Sequence, residues 1–292
     1  MILKDKVAIV TGAGTGIGEA IAHKFSNEGA RLVLGGLPED PVRDVAEAIV
    51  AGGGEAEAYL GDLAEEAHAR ELVDLAVRRF GRIDILVSNA GIFIANAETD
   101  AYRVEDFDRT MRSNVRTAFL MTKFALPYLQ KTRGNIIFTG SEAGLSGSPM
   151  FTPYGGSKGF LHAFMKGVAL EQARYGVRAN CVCPGAIDTA WTRGSDSPLP
   201  PEAQAGIDAM VPLGRRGTPE EMANIFAFLA SDLASYVTGA LWLADGGVTP
   251  AKASAGGLVP DALRQAPKAT LPLRHSHDGL HGKEVYRAPR TV

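Results

Sequence analysis

The chain has 292 residues, of which 46% are apolar and 22% charged, and its formal net charge at pH 7 is −3. This composition is typical of a globular protein and excludes a disordered chain and a coiled coil. A chain near this length buries about 75% of the surface that its unfolded form exposes, so its core needs no disulfide or metal support.

Composition also limits the partners and the location of the protein. The pI near 6.1 gives no basic surface for nucleic acid. No run approaches the ~18 apolar residues that cross a bilayer, and a strand pattern begins at once with no signal peptide ahead of it. We therefore expect a cytoplasmic protein that binds neither membrane nor nucleic acid. The two cysteines, Cys181 and Cys183, are too few for a disulfide framework, and we expect reduced, structural thiols on opposite faces of a strand.

Seven short apolar runs alternate with longer helical patterns along the chain, as in βαβ units. The predicted strands are 7–12, 31–36, 56–62, 83–91, 134–141, 177–185 and 240–247. The predicted helices are 17–29, 41–51, 66–80, 104–131, 154–175 and 219–231. Several strands are apolar at every position, which favours a parallel sheet covered on both faces. The pattern predicts one doubly wound α/β domain over 1–247, with a Rossmann-type seven-stranded parallel sheet.

Glycines mark the ends of the predicted helices, and prolines mark the segment that follows the domain. Gly29, Gly81, Gly134 and Gly176 follow predicted helices, where a C-terminal cap favours a left-handed residue. From residue 248 the periodicity stops, and 248–292 contains five prolines. We expect this segment to be a C-terminal arm rather than a domain.

The first strand runs into a glycine-rich turn and then a helix. Residues 11–18 read TGAGTGIG, which fits T-G-x-x-x-G-I-G rather than G-x-G-x-x-G. Glycines let the backbone approach a pyrophosphate, and the free N–H groups of the helix start stabilise its charge. The pattern indicates a nucleotide site, although a tight turn without a ligand has the same glycines.

A tyrosine and a lysine lie four residues apart near the start of a predicted helix. This spacing puts Tyr154 and Lys158 on one face, with Thr152 as the expected cap and Pro153 at the first helical position. An ammonium group beside a phenol favours the phenolate and lowers its pKa. Ser141, at the end of the fifth strand, is placed to donate to a substrate oxygen.

At these positions the sequence closely resembles the classical short-chain dehydrogenase/reductase family, over about residues 4–247. The motifs that carry the resemblance are TGAGTGIG at 11–18, Asp62 with Leu63, NAG at 89–91, Asn114, Ser141, YGGSK at 154–158, PG at 184–185 with Thr189, and DGG at 245–247. The resemblance implies an NAD(P)-dependent oxidoreductase that interconverts a secondary alcohol and a ketone by hydride transfer.

The resemblance also implies a role for each catalytic residue. Tyr154 would be the general acid or base, and Lys158 would lower its pKa and bind the nicotinamide ribose. Ser141 would orient the substrate oxygen. Asn114 would hold a water that relays protons from Lys158, although it could also be a polar helix residue that bonds backbone.

Cofactor contacts are implied for a larger set of residues. They are Gly12, Thr15, Gly16, Ile17, Gly18, Gly36, Asp62, Leu63, Asn89, Gly91, Tyr154, Lys158, Pro184, Gly185, Ile187 and Thr189. Asp62 would meet the adenine ring, and it could also cap the next helix.

The residue that selects between NAD and NADP departs from the family pattern. Gly36 occupies the place of the usual acidic residue, and Leu37 the place where an arginine often stands in NADP-dependent members. Thr15 brings no positive charge, and Glu39 and Asp40 just beyond would repel a 2′-phosphate. The sequence therefore favours NAD over NADP.

We expect no metal site. His23 and His162 lie on predicted helices without metal-ligand partners, and no cysteine or carboxylate set completes a cluster with His275, His277 and His281.

Residues 188–213 correspond to the family's variable substrate lid. Trp191 in this segment, together with Leu145, Met150 and Phe151, indicates a fairly apolar pocket for a small-molecule alcohol or carbonyl substrate. Sugar, polyol, steroid and oxoacyl substrates all remain open.

Three other functions compete with this interpretation. They are a catalytically silent nucleotide-binding scaffold or regulator, a 3-oxoacyl reductase-like NADPH enzyme, and a dehydratase or epimerase. The resemblance further implies a homotetramer in which helices 104–131 and 154–175 pair between subunits.

Overall fold

A computed structural model of the chain describes residues 1–94, 96–189 and 201–251. Its centre is a seven-stranded, all-parallel sheet in the order β3-β2-β1-β4-β5-β6-β7. The strands are β1 (Val7–Thr11), β2 (Arg31–Gly36), β3 (Glu55–Leu60), β4 (Ile85–Ser88), β5 (Asn135–Thr139), β6 (Arg178–Pro184) and β7 (Leu241–Ala244). The predicted doubly wound sheet is confirmed.

Helices cover both faces of the sheet. They are α1 (Gly16–Asn27), α2 (Val42–Ala51), α3 (Glu66–Phe80), α4 (Val104–Met111), α5 (Thr117–Thr132), α6 (Thr152–Gln172), α7 (Pro201–Met210) and α8 (Pro219–Ala230). One core lies between the sheet and α1, α2 and α8. The other lies between the sheet and α3, α5 and α6. Each central strand is apolar on both faces because each face meets one of these cores.

The strand order fixes where a ligand can bind. From β1 the chain builds the sheet outward through β2 and β3, and then returns to place β4 on the other side of β1. The helices that follow β1 and β4 lie on opposite faces, so a crevice opens beyond the carboxyl ends of these two strands.

The predicted single helix over 104–131 is wrong in its middle. The structure has α4, then a π-helical turn at Arg112–Arg116, and then α5. A π turn inserts one extra residue into the helix, which periodicity does not reveal, and such turns occur frequently at functional sites.

Three of the four glycines predicted to end helices have left-handed backbones, with φ of 88° at Gly29, 77° at Gly81 and 74° at Gly176. Gly134 is different, because Arg133 takes the left-handed position after α5 with φ of 52°. Gly134 is instead required by close packing, since a Cβ there would overlap the carbonyl oxygen of Asp84.

The expectation that Cys181 and Cys183 face opposite sides of the sheet is wrong. Side chains of a strand alternate with a period of two, so residues two apart share a face. Both thiols are free and buried, and their Sγ atoms lie 4.0 Å apart. His162 from α6 also reaches this place, with Nε2 3.3 Å from the Sγ of Cys183. The prediction that His162 has no metal-ligand partners is therefore wrong.

Several sequence predictions fall on residues outside the described part of the chain. These include Trp191 in the expected lid and all of 252–292 in the expected arm. Within the described residues, no helix combines the length and apolarity needed to span a membrane.

A capping box at the start of α8 fixes one wall of the crevice. The hydroxyl of Thr218 accepts from the backbone N–H of Glu221 at 3.1 Å, and the carboxylate of Glu221 accepts from the N–H of Thr218 at 2.9 Å. The preceding Gly217 pairs with the segment around Ile187, accepting from Asp188 N–H at 2.9 Å. The cap thus holds the start of α8 beside the loop that follows β6.

We expect Thr218→Ala to lower the free energy of unfolding by about 1 kcal/mol, because a helix N–H loses its acceptor. Urea unfolding monitored by circular dichroism measures the change. Thr218→Ser keeps the hydroxyl and should retain most of the stability. An equal loss in both variants would assign the effect to packing of the methyl group instead.

Candidate active site

The turn between β1 and α1 forms an open cradle of backbone. Gly12 has φ of 62°, and a Cβ there would lie 2.9 Å from the Cα of Ala90. A Cβ at Gly18 would overlap the carbonyl oxygen of Gly12. α1 begins at Gly16, and no side chain caps its first N–H groups. These donors and the helix dipole form a site for a phosphate anion.

Thr189, from the loop after β6, closes the cradle from above. A Cβ at Gly16 would touch the Thr189 methyl group at 3.3 Å. The loop and the turn therefore line the same end of the crevice.

At the end of β2, Asp40 occupies the space that a larger residue 36 would need. A Cβ at Gly36 would lie 3.0 Å from Oδ2 of Asp40 and 2.5 Å from Cγ2 of Val42. The same Oδ2 accepts from the backbone N–H of Leu37 at 2.9 Å. Asp40 also packs against the glycine turn, because a Cβ at Gly14 would lie 3.2 Å from its Cβ. A carboxylate therefore lies at this end of the crevice although position 36 is glycine.

Asp62 has two partners within the chain. Its Oδ1 accepts from the N–H of Ala64 at 2.9 Å, and its Oδ2 pairs with Arg112 at 2.6 Å. Arg112 also pairs with Glu65 at 2.6 Å. Asp62 thus caps the turn before α3 rather than the helix itself, while its half-exposed side chain lines the cleft.

A chain of hydrogen bonds joins the ends of β1, β4 and β5. The hydroxyl of Thr11 accepts from the N–H groups of Asn89 and Ala90, both at 3.0 Å. The Asn89 side chain donates to the Thr11 carbonyl at 3.1 Å and accepts from the Thr139 hydroxyl at 3.0 Å. The Thr139 carbonyl accepts from Nζ of Lys158 at 2.9 Å. The lysine is thereby fixed relative to the phosphate cradle.

Lys158 is buried and Tyr154 is half-buried, and Nζ of Lys158 lies 5.6 Å from the centroid of the tyrosine ring. Burial raises the pKa of Tyr154 to about 12, although its hydrogen bond with Ser141 acts in the opposite direction. Burial also lowers the pKa of Lys158 to about 8. The sequence predicted a tyrosine pKa lowered by the ammonium, but in the structure desolvation is the largest effect on Tyr154 and it raises the pKa.

The start of α6 differs in detail from the prediction. The helix begins at Thr152, the cap position is Phe151, and no side chain caps it. Pro153 still falls within the first turn, where its missing N–H costs no hydrogen bond.

Asn114 lies in the π turn, fully buried, behind the cleft rather than in its wall. Its Oδ1 accepts from the N–H of Ile92 at 2.7 Å, and its Nδ2 donates to the carbonyl of Ile92 and to the hydroxyl of Ser157, both at 3.0 Å. Asn114 thus makes the backbone hydrogen bonds expected of a structural polar residue in a helix. It also lies near the lysine, because a Cβ at Gly91 would be 3.2 Å from its Oδ1 and 3.3 Å from Nζ of Lys158.

Aromatic rings form an apolar wall beside the tyrosine. The Phe93 ring meets the Tyr154 ring edge-on at 5.4 Å and the Phe151 ring at 5.1 Å. Glu142, next to Ser141, has a raised pKa because of burial and the charge of Asp245.

These features line one cleft of about 350 Å³. It contains every residue that the sequence predicts as catalytic or cofactor-binding except Asn114. Sequence reasoning missed Arg109, Arg112, Ser113 and Thr139, which also line it. The arginines belong to a helical stretch whose pattern gives no signal of its own, because their orientation depends on the π turn.

The cleft fits a dinucleotide. A backbone cradle that any Cβ would fill lies at one end, a carboxylate lies beyond β2, and the tyrosine–lysine pair lies at the other end. A pyrophosphate, a ribose and a nicotinamide ring match these three regions in that order.

Comparison with known proteins identifies the family to which this chain belongs. The family described as enoyl-(acyl carrier protein) reductase matches residues 12–249. L-rhamnose 1-dehydrogenase (NAD(P)(+)) of Azotobacter vinelandii is 39% identical, covering 85% of this chain and 98% of its own length. Meso-2,3-butanediol dehydrogenase of Serratia marcescens is 36% identical, covering 85% and 96%.

Among solved structures, levodione reductase superposes with a TM-score of 0.81 at 31% identity, covering 85% of this chain and 99% of its own. The family match over residues 12–249 includes most of the glycine turn, the tyrosine–lysine pair and the loop after β6. With this extent and this cleft, the chain belongs to the short-chain dehydrogenase/reductase family and is an oxidoreductase that acts on CH–OH groups.

Proposed function

We propose that the protein interconverts a secondary alcohol and a ketone, with Tyr154 as the general acid and base and NAD as the preferred cofactor. The observation that carries this proposal is the half-buried Tyr154, which is hydrogen-bonded to Ser141 and whose ring centroid lies 5.6 Å from the ammonium of Lys158. A phenol beside a cation in a ligand-sized cleft is suited to exchange a proton with a substrate oxygen.

Different residues around the cleft would bind different parts of the cofactor. The glycine turn with Gly12, Gly16 and Gly18 would hold the pyrophosphate, and Lys158 the nicotinamide ribose. The backbone from Gly185 to Thr189 would contact the carboxamide and phosphate side. NAD, when bound, supplies or accepts the hydride.

The tyrosine performs the proton step. For reduction, the Tyr154 O–H donates to the carbonyl oxygen while the Ser141 hydroxyl holds that oxygen in place. A tyrosine with a pKa raised to about 12 is fully protonated at pH 7, so it is ready to act as the acid. For oxidation, Tyr154 must accept a proton, and the Lys158 ammonium stabilises the phenolate. A water held near Asn114 would return the proton to solvent.

We expect Tyr154→Phe to reduce turnover by at least about 10²–10⁴-fold, the usual contribution of general acid–base catalysis. The ring contact with Phe93 is kept, so the NADH affinity should be nearly unchanged. Initial rates with the best substrate from a panel of alcohols and ketones measure the first effect, and fluorescence titration with NADH the second. Retained turnover would refute the role of Tyr154.

The preference for NAD rests on Asp40. Its carboxylate fills the place beside Gly36, where it is positioned to accept from a ribose hydroxyl and to repel a 2′-phosphate. Arg112 and Arg109 also line the cleft, but both are ion-paired, with Asp62 and Asp106 respectively.

We expect the wild-type protein to bind NADH more tightly than NADPH, and Asp40→Asn to shift this ratio towards NADPH by about tenfold, or ~1.4 kcal/mol. Asparagine keeps the acceptor for the Leu37 N–H but removes the charge. The neighbouring exposed Glu39→Gln makes the same charge change and should have a smaller effect. Tighter binding of NADPH by the wild type, or equal shifts in both variants, would contradict the role of Asp40.

The remaining features stay predictions. The substrate lid over 188–213 is described only at 188–189 and over 201–213, where α7 and the following turn lie. Phe119 on α5 and Phe160 on α6 are exposed apolar residues, which is consistent with helix pairing in a homotetramer. The cytoplasmic location and the C-terminal arm over 248–292 also stay predictions.

A further inference from the structure

Behind the catalytic residues, two thiols and an imidazole meet in the core. Cys181 and Cys183 come from β6 and His162 comes from α6, and all three side chains are buried. We refer to these three residues as the thiol–imidazole cluster. The mechanism above assigns no role to any of them.

The cluster lies directly behind the end of β5. A Cβ at Gly140 would be 2.6 Å from Nε2 of His162 and 2.7 Å from Sγ of Cys181. Gly140 itself lines the cleft. Only the glycine backbone therefore separates the cluster from the active site.

Two of the three distances within the cluster match those between ligands of one metal ion. The two Sγ atoms lie 4.0 Å apart, Nε2 of His162 lies 3.3 Å from Sγ of Cys183, and all three ligand atoms lie within 4.8 Å of one another. With metal bonds of about 2.3 Å to sulfur and about 2.0 Å to nitrogen, these separations give angles of about 120° and about 100° at the ion. Such angles lie in the tetrahedral to trigonal range.

The chemistry of the donors is also suitable. Thiolate and imidazole are the ligands that Zn²⁺ and related d¹⁰ ions favour. Two thiolates balance the charge of a divalent ion, so a bound ion would add no net charge beside Lys158. The Nδ1 of His162 has no partner among the described residues, so Nε2 makes the polar contact of the ring.

We propose that His162, Cys181 and Cys183 bind one divalent d¹⁰ metal ion, such as Zn²⁺, which ties β6 to α6 behind the catalytic residues. Both thiols lose their protons to solvent when the ion binds, and no oxidant or reductant is needed. Among the described residues no fourth histidine, cysteine, aspartate or glutamate joins the cluster. The protein thus supplies three ligands, and the ion braces the fold by binding the native state alone.

The test uses Cd²⁺ as a spectroscopic probe of the full-length protein, reduced with a non-chelating phosphine. Cd²⁺ bound to thiolate gives an ultraviolet charge-transfer band. The chain has only two cysteines, so this band can arise only from the cluster. We expect the band to saturate at one Cd²⁺ per chain while circular dichroism stays native. We also expect Zn²⁺ to compete for the site and to raise the Tm by several degrees.

Substitutions separate the three ligands. Cys181→Ser and Cys183→Ser should each weaken Cd²⁺ binding and reduce the band. His162→Gln should weaken Cd²⁺ binding at least about tenfold, since even second-shell partners of metal ligands change affinity by about 10–100-fold. His68→Gln is the matched control. His68 lies outside the cluster, hydrogen-bonded to Tyr59, so this variant should leave Cd²⁺ binding and the band unchanged.

No thiolate band in the native wild-type protein would overturn the proposal, and this measurement does not depend on whether any variant folds. A band that is unchanged in His162→Gln would also overturn it, because the thiols alone would then be the site. A Zn²⁺-dependent rise in Tm that persists in both cysteine variants would place the ion elsewhere, for example on the histidines after residue 270, and would equally refute the cluster.

Discussion

The geometry of the cleft depends on one chain of hydrogen bonds that crosses three strand ends. Thr11 holds Asn89, Asn89 accepts from Thr139, and the Thr139 carbonyl accepts from Nζ of Lys158. These groups are largely buried, so each lost contact would leave a polar atom unpaired in the core. This series of hydrogen bonds therefore fixes the distance between the phosphate cradle after β1 and the tyrosine–lysine pair on α6. A dinucleotide that spans the two ends needs this distance to be constant.

Burial disfavours the charged forms of Tyr154 and Lys158. It raises the pKa of Tyr154 and lowers that of Lys158, so both residues are held closer to their neutral forms than in water. A group whose proton affinity is shifted in this way is poised to change its protonation when a partner charge arrives. The same low dielectric strengthens the attraction between phenolate and ammonium.

The sequence predicts the parts of this protein that depend on local spacing. The seven parallel strands, the glycine turn and the Tyr154–Lys158 pair follow from periodicity, from glycine positions and from a four-residue separation. The sequence does not predict contacts and orientations that depend on tertiary packing. The π turn that orients Arg112, the return of Asp40 towards Gly36, and the approach of His162 to Cys183 each require knowing which elements are neighbours. The cysteines, expected on opposite faces, share one face because residues two apart on a strand point the same way.

The central claim is that this cleft transfers hydride and does more than bind a nucleotide. The most direct test is to incubate the protein with NADH carrying deuterium at both C4 positions and a panel of ketones, and to analyse the products by mass spectrometry. The account predicts an alcohol with one deuterium on its carbinol carbon, formed in step with NADH consumption. Binding of NADH without deuterium transfer to any ketone would contradict it and would favour a nucleotide-binding scaffold.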